Sequence, residues 1–226
     1  MTDASNTETR PRVAVVGGTG TLGSGLAKRW AKAGYEVIIG SRSAEKAVET
    51  ARGLGATGPA ARGASNADAA KAGDVVFLAI PWSNHQQILD EIAPHVAGKI
   101  VVDATVPLVP PKVARVQLPP ETSAALATQQ RLGDKSRVVS GFHNVAAEKL
   151  HHDAPIDCDV LIFGDEPKDR AVVVALAEAA GLRGIHCGPL ANSVAGEALT
   201  SVLIGINRNY KVDGGAGIRI TGIGKA

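Results

Sequence analysis

Residues 13–42 pack a strand, a glycine turn, a helix and a second strand into one short unit. That order constrains the fold more than any other feature of the chain. Val13-Ala14-Val15-Val16 is an apolar run of strand type and leads directly into Gly17-Gly18-Thr19-Gly20-Thr21-Leu22-Gly23. Leu22, Leu26, Trp30 and Ala33 then recur at helical spacing up to Gly34, and Tyr35 to Gly40 reads as a second strand. Gly18, Gly20 and Gly23 fit the G-x-G-x-x-G pattern, in which one glycine makes a tight turn, one admits a pyrophosphate to the backbone, and one lets helix and strand pack closely. The helix that follows offers unpaired N–H groups and a partial positive charge to phosphate. A plain strand-to-helix turn is the competing reading, but the pattern follows a strand and opens a helix, as a dinucleotide site requires.

The tip of the second strand selects the dinucleotide. A site for NAD places Asp or Glu there, against the ribose hydroxyls. This chain has Ser41-Arg42-Ser43, with Lys46 one helical turn further on. A guanidinium, an ammonium and hydroxyls around one point suit a phosphate dianion, so the expected ligand is NADP. The bland alternative is that Ser43 caps the next helix while Arg42 and Lys46 are solvated.

Strand-like and helical segments continue to alternate. Val75 to Ile80, Lys99 to Asp103, Val138 to Phe142, Cys158 to Gly164 and Leu182 to Cys187 read as strands. Helical composition covers 84–97, 121–132, 167–180 and 190–206, with a short helix at 66–70 and a weak strand somewhere in 53–64. The expected fold class is α/β, a Rossmann-type doubly wound parallel sheet with a small C-terminal α/β domain. The boundaries expected are a disordered tail over 1–11, an NADP-binding domain over 12–153 and a closing domain over 154–226.

Composition excludes several other classes. There are 24 Lys and Arg against 22 Asp and Glu, and aromatic residues make up 3%, so neither a polyanion surface nor a base-stacking platform is expected and nucleic acid is not a partner. No apolar run approaches membrane-spanning length, and Met1 to Arg12 lacks a hydrophobic signal core. Two cysteines in separate segments, Cys158 and Cys187, fit reduced thiols of a cytoplasmic protein. No metal-ligand spacing is present, and His85, His95, His151, His152 and His186 read as ordinary.

In an open α/β sheet, ligands lie beyond the carboxyl ends of the strands. The residues there are Gly18–Leu22, Ser41–Arg42, Ile80–Trp82, Thr105–Leu108 and His143–Val145. The last three groups are mostly apolar and hold no nucleophile beside a base. The short-chain reductases supply a group to take the hydroxyl proton with a Tyr and a Lys four apart, and neither Tyr35 nor Tyr210 has a Lys at that spacing. An apolar slot instead suits hydride transfer between two stacked planar rings.

Several segments together resemble the NADPH-dependent F420 reductases over residues 12–223. They are Val16 to Gly23, Gly40 to Arg42 with Lys46, Ala79 to Trp82, Phe142 to Val145, Gly188 to Ser193, and Glu197 to Thr200. The resemblance implies reversible hydride transfer between NADP(H) and coenzyme F420, an 8-hydroxy-5-deazaflavin with an anionic tail. It places Thr19, Gly20, Thr21 and Leu22 on the pyrophosphate and Ser41, Arg42 and Lys46 on the 2′-phosphate. Ile80 and Pro81 flank the nicotinamide. Val106, Pro107, His143 and Val145 wall the deazaflavin, with Leu199, Thr200 and Leu203 coming from the second domain. Val194 and Ala198 depart from relatives that carry Arg and Ser there, which leaves the tail contacts open. His143 is the one polar candidate in the slot, either bonding the pyrimidine edge or bonding a loop carbonyl structurally. Arg208 and Lys211 either meet the tail or sit solvated at a helix end. An apolar last helix suggests a homodimer. The alternatives are an NADP(H)-dependent flavin or ferric reductase and a non-catalytic NADP(H)-sensing protein.

Overall fold

The computed structural model describes residues 10–55 and 61–223. Residues 1–9 of the expected tail, and 56–60 of the 53–64 stretch, lie outside the described residues. The chain order is β1 (Val13–Val16), α1 (Thr21–Lys32), β2 (Val37–Ser41), α2 (Ala44–Gly53), β3 (Arg62–Ser65), α3 (Asn66–Ala72), β4 (Val75–Leu78) and α4 (His85–Ile92). It continues with β5 (Ile100–Asp103), α5 (Ala124–Leu132), β6 (Arg137–Ser140), β7 (Asp159–Gly164), α6 (Pro167–Ala179), β8 (Arg183–His186) and α7 (Ser193–Tyr210).

The strands form one eight-stranded sheet in the order β3-β2-β1-β4-β5-β6-β7-β8. The first six are parallel, β7 joins β6 antiparallel, and β8 runs parallel to β7. The order reverses after β1, where the chain crosses from β3 at the edge back to β4, and a crevice opens at such a switch point. This is the Rossmann-type doubly wound fold expected from the sequence. The strands β1, β2, β4 and β5 are buried along their whole length, as a sheet covered on both faces requires.

On one face Trp30 of α1 packs edge-on against Phe77 of β4 at 5.2 Å between centroids, and Phe77 meets Phe142 at 5.2 Å. Trp30 also satisfies its indole N–H by donating to the Leu176 carbonyl of α6 at 2.7 Å, tying the N-terminal half to the C-terminal half. Arg29 makes the same link with polar bonds, donating to the carbonyls of Leu150 and Ala180 at 2.9 and 2.8 Å. Asp159 at the start of β7 takes Arg183, Arg219 and the Ile220 N–H, so the glycine-rich end is held by side-chain bonds. The alternating segment there forms no strand.

Several boundaries moved for local reasons. The helix expected from 121 starts at Ala124, because Ser123 caps it by accepting from the Leu126 N–H at 3.1 Å. The helix expected over 84–97 is broken into a 3-10 turn, α4 and a second 3-10 turn that carries Pro94. The expected strand through Phe142 stops at Ser140, since Phe142 turns into the left-handed region at φ 68°.

Candidate active site

The glycine turn sits at the mouth of the crevice. Gly17 has φ 75°, and a Cβ there would lie 2.5 Å from the Ala79 carbonyl oxygen, so the turn itself demands glycine. At Gly18 a Cβ would meet the Val15 oxygen at 2.7 Å, and at Gly23 it would meet the Gly18 Cα at 2.9 Å, so these two keep α1 close to the sheet. Gly20 is different: nothing lies within 3.5 Å of its missing Cβ, and it lines the cavity. Its bare face is open to a ligand.

Gly20 caps α1 without a side-chain bond, and no acidic residue stands in the first turn. Among the described residues the N–H groups of Thr19, Thr21 and Leu22 have no hydrogen-bond acceptor. This arrangement is built for an anion. The cavity, about 430 Å³, is lined by Thr19, Gly20, Thr21, Leu22, Ser41 and Arg42, and also by Ile80 and Pro81. The expected phosphate and nicotinamide residues are therefore brought together, apart from Lys46, which is exposed near the mouth but does not line the cavity. Among the described residues neither Arg42 nor Lys46 pairs with a carboxylate. Ser43 caps α2 by accepting from the Lys46 N–H at 3.3 Å, and its hydroxyl donates to Glu45 at 2.8 Å. Ser41 stays buried at the strand tip and accepts from the Ser43 N–H at 3.3 Å.

The remaining candidates fall into two groups. His143, Val145, Thr200 and Leu203 line one cavity of about 420 Å³ between the end of β6 and α7. Val106 and Pro107 line a small separate hollow with Glu197 and Ala198, and Leu199 lines neither. His143 is 7% exposed and its Nε2 lies 3.1 Å from Ser140 Oγ. Burial pushes its imidazole down to about 4, against the opposing influence of the Asp103 charge, so the ring is neutral at neutral pH. Its Nδ1 is buried without a partner. Thr200 Oγ1 donates to the His143 carbonyl at 2.9 Å, fixing α7 to this strand end.

Three features here were missed in the sequence. Asn66, just after β3, reaches back so that its Oδ1 accepts from the Gly17 N–H at 3.3 Å, and it lines the dinucleotide cavity. His85, read as ordinary, pairs with Asp103 in the buried floor between α4 and β5. Glu197 accepts from the Ala124 and Ala125 N–H groups at 2.7 and 3.1 Å, locking α7 onto the start of α5. The available signal for Asn66 and Asp103 was position, since both are polar residues at or just beyond a strand end. Nothing in the sequence linked Glu197 to residues more than seventy positions away.

Among the described residues no set of three or more His, Cys, Asp or Glu side chains is placed to hold a metal ion, and no helix is long and apolar enough to cross a membrane. Cys158 and Cys187 are free thiols, both raised in pKa by burial.

Comparison with known proteins agrees with this architecture. Residues 12–107 match the sequence pattern of the NADP oxidoreductase, coenzyme F420-dependent family. The chain is 42% identical to the F420-dependent NADP reductase of Methanocaldococcus jannaschii, over 94% of this chain and 99% of that protein. It is 39% identical to the F420-dependent NADP reductase of Methanothermobacter thermautotrophicus, over 94% of this chain and 95% of that one. A crystal structure from Arthrobacter, itself provisionally described as an F420-dependent NADP reductase, superposes with a TM-score of 0.78 at 24% identity, covering 89% of this chain and 96% of that one. The fold is shared with that structure, and on the sequence relationships this chain belongs to the family of F420-dependent NADP reductases.

Proposed function

We propose that this enzyme transfers hydride reversibly between NADP(H) and coenzyme F420, ring to ring. The observation that carries the reading is the one cavity lined by Arg42, by the anion cradle and by an apolar pair, Ile80 and Pro81, which follow the adjacent strands β2, β1 and β4. That order matches the order of 2′-phosphate, pyrophosphate and nicotinamide along an extended dinucleotide. The uncapped N–H groups of α1 take the pyrophosphate, and Ser41, Arg42 and Lys46 take the 2′-phosphate.

Ile80 and Pro81 press the nicotinamide from one side and leave its other face for the acceptor. Val145, Thr200 and Leu203 wall the acceptor, with Val106 and Pro107 in the neighbouring hollow, and exclude water so that two rings meet at contact distance. When bound, a deazaflavin supplies a ring carbon that accepts hydride. His143, neutral and with a free Nδ1, bonds the acceptor's polar edge. The division of labour is an NADP-binding part over 12–153 and a closing part over 154–226. Arg208 is exposed on α7, and Lys211 ends that helix; both stand where an anionic tail can meet them. A homodimer would bury Val202 and Tyr210, which are exposed on α7. A cytoplasmic location belongs to the same reading, and two free thiols, Cys158 and Cys187, support it.

The test is to mix the pure protein with NADP and reduced F420 and follow deazaflavin absorbance. Rapid reoxidation supports the reading. Activity only with free flavin or ferric ion would favour the reductase alternative, and cofactor binding without turnover a sensor.

A further inference from the structure

One buried carboxamide reaches across the carboxyl ends of the first three strands. Asn66 is 1% exposed and opens α3 directly after β3. In the parallel pairing of β2 with β3, Ser41 stands opposite Ser65, so the next residues, Arg42 and Asn66, leave the sheet side by side. The Asn66 side chain then crosses over β2, where a Cβ at Gly40 would lie 3.2 Å from its Oδ1. It ends at the turn after β1, where Oδ1 accepts from the Gly17 N–H at 3.3 Å. Asn66, Gly17, Ser41 and Arg42 all line the dinucleotide cavity.

This carboxamide is not spent on capping its own helix. Ser65 already caps α3, its hydroxyl accepting from the Asp68 N–H at 3.1 Å, and the Ala67 N–H is taken by Glu91 at 3.3 Å. The orientation of the amide follows from its partner. A backbone N–H only donates, so the atom facing Gly17 is the carbonyl oxygen and the other end is the NH₂ group. Nδ2 has no acceptor among the described residues, and it is not sealed off from the cavity that the residue lines. Two N–H donors therefore stand open to a ligand, between the glycine turn and the strand tip that carries Arg42. A buried amide left without partners destabilises a fold, so a bond supplied from the cavity is worth most here.

We propose that Asn66 is a specificity residue for the 2′-phosphorylated adenosine of NADP: Nδ2 donates to an oxygen of the 2′-phosphate while Oδ1 holds the glycine turn that receives the pyrophosphate. A neutral donor suits this place. Beside the Arg42 guanidinium it adds a charge-assisted bond to the dianion without burying a further charge. One side chain serves both points, and so ties the turn after β1 to the tip of β2. The 2′-hydroxyl of NAD is an uncharged acceptor and gains less from the same donor. The inference rests on the placing of the 2′-phosphate against Ser41 and Arg42, and adds to it the residue after the third strand that reads the same group.

Asn66→Asp separates a phosphate reader from a brace for the turn. The variant keeps an oxygen for the Gly17 N–H and replaces the donor by a second, anionic oxygen. Calorimetric titration is expected to show NADP bound about tenfold or more weakly than by the wild type, with NAD affinity changed less than about threefold. Equal losses for both dinucleotides, or no loss for NADP, would overturn the proposal and leave Asn66 as a brace alone. A second measurement needs no variant, and so stands even where Asn66→Asp does not fold. In nitrogen-15-labelled wild-type protein, saturating 2′,5′-ADP is expected to move an Asn66 side-chain N–H signal downfield, and saturating 5′-AMP to leave it in place. Matching responses to the two nucleotides, or none to 2′,5′-ADP, would equally overturn it. A wild-type protein that binds NADP no more tightly than NAD would sink the 2′-phosphate pocket itself and this proposal with it, an outcome seen before the variant is made.

Discussion

Nε2 of His85 lies 3.1 Å from Oδ2 of Asp103, with both side chains at most 4% exposed. Thr128 Oγ1 completes the cluster at 2.6 Å from the same oxygen. His85 follows the Pro81–Trp82 turn, Asp103 ends β5, and Thr128 belongs to α5. The pair thus fastens the wall proposed for the nicotinamide to the loop that carries Val106 and Pro107.

Breaking this pair is expected to be costly. Desolvation alone pushes the Asp103 carboxyl up, but the bonds from His85, Thr105 and Thr128 outweigh it and hold the group below its ordinary value. Asp103→Asn is expected to lose about 3–5 kcal/mol of stability, the usual cost of leaving a buried partner uncompensated. Urea denaturation at neutral pH measures it. Because the native pKa is depressed, this contribution is present above the carboxylate's unfolded pKa and disappears as pH falls through the native one. An unchanged urea midpoint at neutral pH would show that the pair carries no stability.

Arg42 lines the dinucleotide cavity, and among the described residues no carboxylate pairs with it. Arg42→Ala is expected to weaken NADP binding by roughly 1.5–3 kcal/mol, the range for a charge-assisted bond, and to leave NAD binding nearly unchanged. Titration calorimetry with both dinucleotides checks this. Equal losses would mean that the guanidinium does not read the 2′-phosphate.

Glu197 is 2% exposed, and burial pushes its carboxyl up to about 8, against the two N–H groups of Ala124 and Ala125 that favour the charged form. A raised native pKa means that the folded protein holds a proton that the unfolded chain has released. The resulting stability is fully present below pH 4.5 and drains away as pH rises to about 8, by roughly 3–5 kcal/mol. Urea midpoints at pH 5.5 and 8.5 should therefore differ in the wild type and converge in Glu197→Gln. Equal pH dependence in both proteins would assign the effect elsewhere.

The strands and the glycine turn that lines the first cavity were legible because they follow from local rules. Val13–Val16 and Val75–Leu78 are continuous apolar runs that only a doubly covered sheet accommodates, and the glycines with Arg42 sit within one βαβ unit. What could not be read depends on long-range contact. Asp103 meets His85 and Thr128 across 18 and 25 residues, and Glu197 meets Ala124 across 73. No periodicity encodes such pairings. The antiparallel seam between β6 and β7 was equally invisible, because both runs are apolar whichever way they point. Helix ends were misplaced where a side-chain bond decides them, as at Ser123.

Direct transfer between stacked rings is the central claim, and isotope labelling tests it most directly. The enzyme is given NADPH carrying deuterium at the transferable C4 position, together with oxidised F420 in ordinary water, and the reduced coenzyme is examined by mass spectrometry and NMR. The account predicts that one deuterium per turnover appears on the deazaflavin carbon, on a single face, with none lost to solvent. Deuterium found in the water, or on both faces equally, would contradict it.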